Sequence, residues 1–158
     1  MLLLPTSCRN KLIIEAIEKY PAECCGFLLG KEDNNEQRII SKVVVCKNES
    51  GTDKEYKISP KEYKKVEKEA GKKKLSLLGI YHSHPDWDAI PSETDLENAL
   101  PNLSYVIISV FKHQISASRG WRLNENRVFE EESIITDQNS TSKSNTAHGN
   151  HYHSHTTP

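Results

Sequence analysis

The chain has 158 residues, 35% of them hydrophobic and 27% charged, with a formal net charge of −1. That length suits one domain with a real core, and the charge balance lacks the basic excess of a duplex-binding surface, so no nucleic acid partner is expected. No stretch reaches the roughly 20 apolar residues that cross a bilayer, and Met1-Leu2-Leu3-Leu4-Pro5 lacks the basic start and apolar run of a secretion signal, which predicts a cytoplasmic protein with no membrane partner.

Ser7 to Tyr20 reads as an amphipathic helix, with Ser7 as N-cap, Leu12, Ile13, Ala16 and Ile17 as the apolar stripe, and Pro21 as the stop. Cys25 to Gly30 is a short apolar run bounded by glycines, and Arg38 to Cys46 is rich in Ile and Val; both read as strands. Pro60 opens a second helix that runs to about Ala70 and stops at Gly71. Nine lysines face four glutamates between Lys54 and Lys74, a solvated helix face or, as the alternative, a docking patch for an acidic partner.

Leu75 to Ser83 is the strongest strand, followed by a proline-bearing loop and a helix from Ser92 to Leu100 closed by Pro101. Tyr105 to Phe111, Gln114 to Ser118, Trp121 to Leu123 and Arg127 to Glu131 complete the set as strands. The alternation predicts an α/β fold, a single mixed-sheet domain flanked by helices over residues 1–136. From about Asp137 the composition turns to Ser, Thr, Asn and His, too polar to offset the entropy of ordering, so 137–158 reads as a disordered tail. Its His148, His151, His153 and His155 read as an opportunistic metal binder or plain low-complexity sequence, not a second site.

Cys8, Cys24, Cys25 and Cys46 contain no Cys-x-x-Cys pair. Adjacent Cys24 and Cys25 would point to opposite faces of a strand, so the four read as buried free thiols in a reducing compartment.

The informative segment is His82-Ser83-His84-Pro85, then six residues, then Ser92-Glu93-Thr94-Asp95. Histidines at i and i+2 of a strand share a face, about 6.5–7 Å apart along the backbone, and can lean together onto one zinc ion. Pro85 ends the ladder, which puts both rings at the strand's mouth. Asp95 can add an anionic third ligand from the first turn of the next helix, and three protein ligands with one open position characterise catalytic zinc. Taken singly, each half has an ordinary explanation: Ser-x-x-Asp is a capping signature, and histidines often satisfy hydrogen bonds at strand ends.

Together the two halves resemble the metal motif of the JAMM (MPN-plus) metallopeptidases, which act on ubiquitin-like conjugates and whose fold is similar to that of cytidine deaminases. The resemblance covers roughly residues 7–131 and implies the JAB/MPN architecture, with one catalytic zinc held by His82, His84 and Asp95. It also implies Glu23 as general base, from its place in Pro-Ala-Glu-Cys-Cys-Gly-Phe-Leu-Leu-Gly, and Ser92 as the group that steadies the oxyanion. Spacing alone does not select Glu23, since Asp86, Asp88, Glu93 and Glu97 are nearer. A carboxylate against a buried strand is costly unless partnered, while an exposed turn glutamate is the other reading.

Lacking the long insertions of eukaryotic deubiquitinating members, the chain is similar to the compact prokaryotic branch. That implies a zinc-dependent peptidase or isopeptidase cutting after the Gly-Gly end of a ubiquitin-like or sulfur-carrier protein. The alternatives are a hydrolase of cell-wall or other small peptides, and a non-catalytic MPN-type interaction module. A DNA-repair-associated relative would carry His-Asn-His-Pro, and a zinc deaminase would need His-x-Glu and Pro-Cys-x-x-Cys, neither of which occurs. Trp87 either lines the substrate channel or pins its loop; His113 reads as a turn residue and Trp121 as a strand core residue.

Overall fold

The computed structural model describes residues 1–136. The elements are β1 (Leu2–Leu3), α1 (Thr6–Lys19), β2 (Cys25–Glu32), β3 (Arg38–Cys46), α2 (Pro60–Lys72), β4 (Ser76–Pro85), α3 (Glu93–Asn98), β5 (Ser104–Phe111), β6 (Gln114–Leu123), β7 (Phe129–Glu132) and β8 (Ile134–Ile135). The eight strands form one mixed sheet in the order β7-β6-β5-β4-β2-β3-β1-β8. β4 runs parallel to β5 and antiparallel to β2. No helix of the described residues is long and apolar enough to cross a membrane. The predicted tail and its four histidines lie outside the described residues.

Two apolar layers sit on opposite faces of the sheet. Leu4, Cys8, Leu12 and Ala16 of the N-terminal segment and α1 pack with Cys24, Leu28, Ile40, Tyr81, Val106 and Ile108. Val66 and Ala70 of α2 pack with Cys25, Phe27, Leu29, Ile80 and Tyr105 on the other. Cys24 and Cys25 therefore do face opposite ways, and all four cysteines are buried free thiols. Because successive side chains alternate across a strand, His82 and His84 share the α2 face with Ile80, and Glu23, two residues before Cys25, falls on that face too.

β7 and β8 are separated in the chain only by Ser133, yet occupy the two ends of the strand order. The sheet therefore curls until its ends meet, where the Leu2 N–H donates to the Ser133 carbonyl at 2.9 Å. A buried polar seam backs this closure. Arg38 donates to the Leu78 carbonyl and Ser104 Oγ, each at 3.0 Å, and Ser104 Oγ donates to Glu132 at 2.7 Å. Glu132 also receives Arg122 at 2.6 Å and the terminal amine at 3.3 Å, so the buried charges are paired, as burial requires.

Several boundaries differ from the sequence reading. The N-cap of α1 is Pro5, with no side-chain cap, and not Ser7; the proline's fixed φ brings the chain in, and the Pro5 carbonyl accepts the Arg9 N–H at 2.9 Å. The buried stripe of α1 is Cys8, Leu12, Glu15 and Ala16, with Glu15 drawn inward by the Tyr81 hydroxyl at 2.5 Å. β6 is one strand from Gln114 to Leu123, not two. Gly120, in the span left between the two expected strands, allows close approach: a Cβ there would collide with the Glu132 carbonyl. The last turn of α2 extends to Lys72, and α3 ends two residues early, at Asn98.

Candidate metal centre and active site

β4 ends at Pro85, and the two histidines just before it are buried, His82 fully and His84 at 4% exposure. α3 begins across the loop with Ser92 as N-cap. Its hydroxyl accepts the Asp95 N–H at 2.9 Å, while Asp95 Oδ2 accepts the Ser92 N–H at 2.9 Å. The capping box anticipated as the ordinary reading is thus formed, and it aims Asp95 at the histidines. His82 Nε2 and His84 Nε2 are 3.1 Å apart, and Asp95 Oδ2 lies 3.2 Å and 3.1 Å from them. Bonds of about 2.0–2.1 Å to a tetrahedral zinc ion would put neighbouring ligand atoms about 3.3–3.4 Å apart, so this triangle is close to one face of such a tetrahedron.

The donor set supports the same fit. His84 Nδ1 faces the Asp88 carbonyl at 2.7 Å, and a carbonyl can only accept, so Nδ1 donates there and Nε2 is the nitrogen turned inward. Burial lowers the His82 pKa, partly offset by Asp95, and favours the neutral imidazole that binds metal. Burial alone would raise the Asp95 carboxyl, but His82, His84 and the Ser92 N–H outweigh it and hold it well below the usual carboxylate range. Two ring nitrogens and an ionised oxygen at this spacing suit a cation at their centre.

Glu23 completes the cluster. The β2–β4 ladder pairs Cys25 with His82, and Cys24 and Ser83 exchange hydrogen bonds at 2.8 Å and 3.1 Å, so the next step of the register sets Glu23 opposite His84. One carboxylate oxygen of Glu23 lies within 4.8 Å of ligand nitrogens of both histidines. Glu23 is 4% exposed, and its Oε2 has no hydrogen-bond partner. Burial first, then the nearby charges of Asp95 and Glu55, push its pKa up to about 8. Glu23 and Asp95 could each supply a third ligand. Asp95 Oδ2 stands at ligand spacing, 3.1–3.2 Å, from both rings, and the Glu23 oxygen lies within 4.8 Å of them.

A cleft of about 430 Å³ opens onto this cluster, lined by Pro21, Glu23, Glu55, His84, Pro85, Trp87, Ser92 and Asp95 among others. All five predicted site residues are therefore brought together. The Trp87 ring lies 4.3 Å from that of His84 and lines the cleft, and Ser109 Oγ donates to the Trp87 main-chain carbonyl. Among the rival carboxylates, Asp86 is engaged by the Tyr20 hydroxyl at 2.6 Å, and Glu93 and Glu97 are exposed. Residues the sequence reading missed are Tyr56, stacked on His82 with ring centroids 4.4 Å apart, and Asn48, which anchors the Tyr56 loop. Both lie in a polar stretch without periodicity, and only the tertiary fold reveals them.

Residues 5–124 match the family described as prokaryotic homologs of the JAB domain. The chain belongs to that family. Over 127 residues this JAB domain is 28% identical to the desampylase of Pyrococcus furiosus, covering 80% of this chain and 85% of that one. Over 130 residues it is 27% identical to the CysO-cysteine peptidase of Mycobacterium tuberculosis, covering 82% and 87%. A solution structure of a Desulfitobacterium hafniense protein superposes on it with a TM-score of 0.78 at 26% identity, covering 90% of this chain and 97% of that one. The JAB/MPN architecture expected from the motif is thereby borne out. His113 is, as expected, a turn residue, exposed at φ 66° between β5 and β6, while Trp121 is half-buried and donates to the Ala89 carbonyl at 3.0 Å.

Proposed function

We propose that this JAB domain is a zinc-dependent peptidase or isopeptidase that hydrolyses the bond after the Gly-Gly end of a ubiquitin-like or sulfur-carrier protein. The observation that carries the reading is the triangle of His82 Nε2, His84 Nε2 and Asp95 Oδ2, with the unpartnered Glu23 carboxylate facing it. The relatives named desampylase and CysO-cysteine peptidase support the substrate class. An intact donor set weighs against a non-catalytic module. Four buried free thiols support a reducing, cytoplasmic setting. We also assign residues 1–136 to the JAB unit and 137–158 to an appended tail.

His82, His84 and Asp95 would hold the ion. Zinc there would act as a Lewis acid on the scissile carbonyl and lower the pKa of the attacking water to about 7. Glu23 takes the proton as the water attacks and returns it to the departing amine. The Ser92 oxygen accepts the Asp95 N–H, leaving its own proton to donate to the developing oxyanion. The Asp88 carbonyl keeps His84 in the tautomer that presents Nε2. Trp87, Pro21 and Pro85 wall the cleft, and residues without side chains pass most easily between such walls.

The test is incubation of the purified chain with a Gly-Gly carrier joined through its C-terminus to an amino acid or a lysine side chain. Release of the free carrier, abolished by a chelator and restored by zinc, is expected. Intact adducts in the presence of zinc would count against the reading.

A further inference from the structure

Residues 47–59, between β3 and α2, form no regular element, yet one side chain organises them. Asn48 Nδ2 donates to the Glu23 carbonyl at 3.1 Å and the Glu55 carbonyl at 3.0 Å. Its Oδ1 accepts the N–H groups of Ser50 and Lys57, each at 2.9 Å. An amide side chain has two donor hydrogens and two acceptor lone pairs, so the whole capacity of Asn48 is used.

The partners are what make this more than a loop clamp. Glu55 and Lys57 flank Tyr56, which is thus gripped from both sides, and the Glu49 N–H adds a bond to the Lys57 carbonyl at 2.9 Å. Held in this way, the Tyr56 ring lies on His82 with its plane tilted by only 26°. The remaining bond goes to the main chain of Glu23 itself.

His82 needs such support. Ligand histidines are ordinarily oriented by a hydrogen bond from the second ring nitrogen. His84 has one, to Asp88, but His82 Nδ1 is buried with no hydrogen-bond partner. Packing against Tyr56 takes the place of that bond. Glu23 is in a similar position: it lies just before β2, beyond the last β2–β4 hydrogen bonds at Cys24.

We propose that Asn48 is a positioning residue for the reaction: it fixes the distance between the Glu23 carboxylate and the His82 ring by anchoring the Glu23 backbone and the Tyr56 loop to one amide. The proposal rests on the reading of Glu23 as the proton carrier. Asn48 touches neither substrate nor metal, and acts only through those two residues.

The test compares the full chain with Asn48→Ala and Asn48→Asp, using a Gly-Gly-aminocoumarin amide as probe, elemental zinc analysis and NMR of the histidine ring protons. Asn48→Ala is expected to keep its zinc and lose about tenfold to a hundredfold in kcat, with KM within about twofold, because small misplacements of reacting groups cost on that scale. It should also lose the upfield ring-current shift that Tyr56 imposes on His82. Asn48→Asp keeps the acceptors for Ser50 and Lys57, and so one side of the grip on Tyr56, but can donate to neither Glu23 nor Glu55. It should lose kcat while retaining most of that shift, and it carries the test should Asn48→Ala not fold. Wild-type kcat in both variants, an unchanged His82 signal in Asn48→Ala, or a kcat loss explained wholly by lost zinc would overturn the proposal. A wild-type protein that holds zinc but leaves both the probe and a Gly-Gly carrier adduct intact would instead sink the Gly-Gly hydrolase reading. The His82 signal then decides the Asn48 anchor alone: lost in Asn48→Ala, it supports the anchor; unchanged, it overturns it.

Discussion

Asp95 Oδ2 accepts the Ser92 N–H at 2.9 Å and, with the same atom, stands 3.1 Å from His84 Nε2. The oxygen that caps the helix is thus the one proposed to hold the metal, and the two roles separate by substitution. Asp95→Asn retains an oxygen for the Ser92 N–H but removes the anionic charge. It should lower zinc affinity, read by competition with a chelator, while the Ser92 cap is kept. Equal zinc affinity in the variant would remove Asp95 from the ligand set.

Ser92→Ala should act on two readouts at once. Loss of the cap costs about 0.5–2 kcal/mol of stability, and loss of the hydroxyl donor costs about 10²–10³ in kcat. Denaturant melts and steady-state kinetics on the same sample separate the two. A variant that is destabilised yet fully active would leave Ser92 with the capping role alone.

Glu23→Gln should keep wild-type zinc content and lose on the order of 10²–10⁴ in kcat, the range for a missing general base. Turnover at the wild-type rate would exclude Glu23 from proton transfer.

Glu23 also predicts a pH effect in chelator-treated protein. Its folded pKa, raised by burial and by Asp95 and Glu55, is about 8 against an ordinary value of 4.5. Between those values the folded state holds a proton that the unfolded state has released, so this group's contribution to stability falls as pH rises and levels off above about 8. Glu15 is shifted the same way by burial, while His82 is shifted downward, so the effect of Glu23 is read from a difference. The stability of Glu23→Gln minus that of wild type, from urea melts, should grow between pH 5 and pH 8. A flat difference would mean that Glu23 is not held in a desolvated site.

How much of this was legible beforehand follows from which contacts are local. His82 and His84 share one strand face, and Ser92 and Asp95 share one helical turn, so short spacings expose both pairs. Glu23 depends on the antiparallel register that pairs Cys25 with His82, across dozens of residues, and no spacing announces it; only the family motif did. Asn48 and Tyr56 depend on where an irregular loop folds back, which hydrophobic periodicity does not encode. The two-residue strands β1 and β8 are too short for any alternation, and they exist because the curled sheet brings its ends together.

Gly26 of β2 stands opposite Tyr81 of β4. A Cβ at this position would collide with the Val44 carbonyl and the Tyr81 ring, which must lie close to reach Glu15. Gly26→Ala should destabilise the fold by about 1–3 kcal/mol, the usual cost of overpacking, as measured by urea melts. Unchanged stability would show that the β2–β4 packing at this point has slack.

The most direct measurement is the zinc content of the purified full chain beside that of His84→Ala, by elemental analysis. Any metal held by the histidine-rich tail is common to both samples, so their difference reports this site. The account predicts a difference of one zinc per chain, with hydrolysis present only in the wild type. Equal zinc in the two proteins, or hydrolysis that persists without it, would contradict the account.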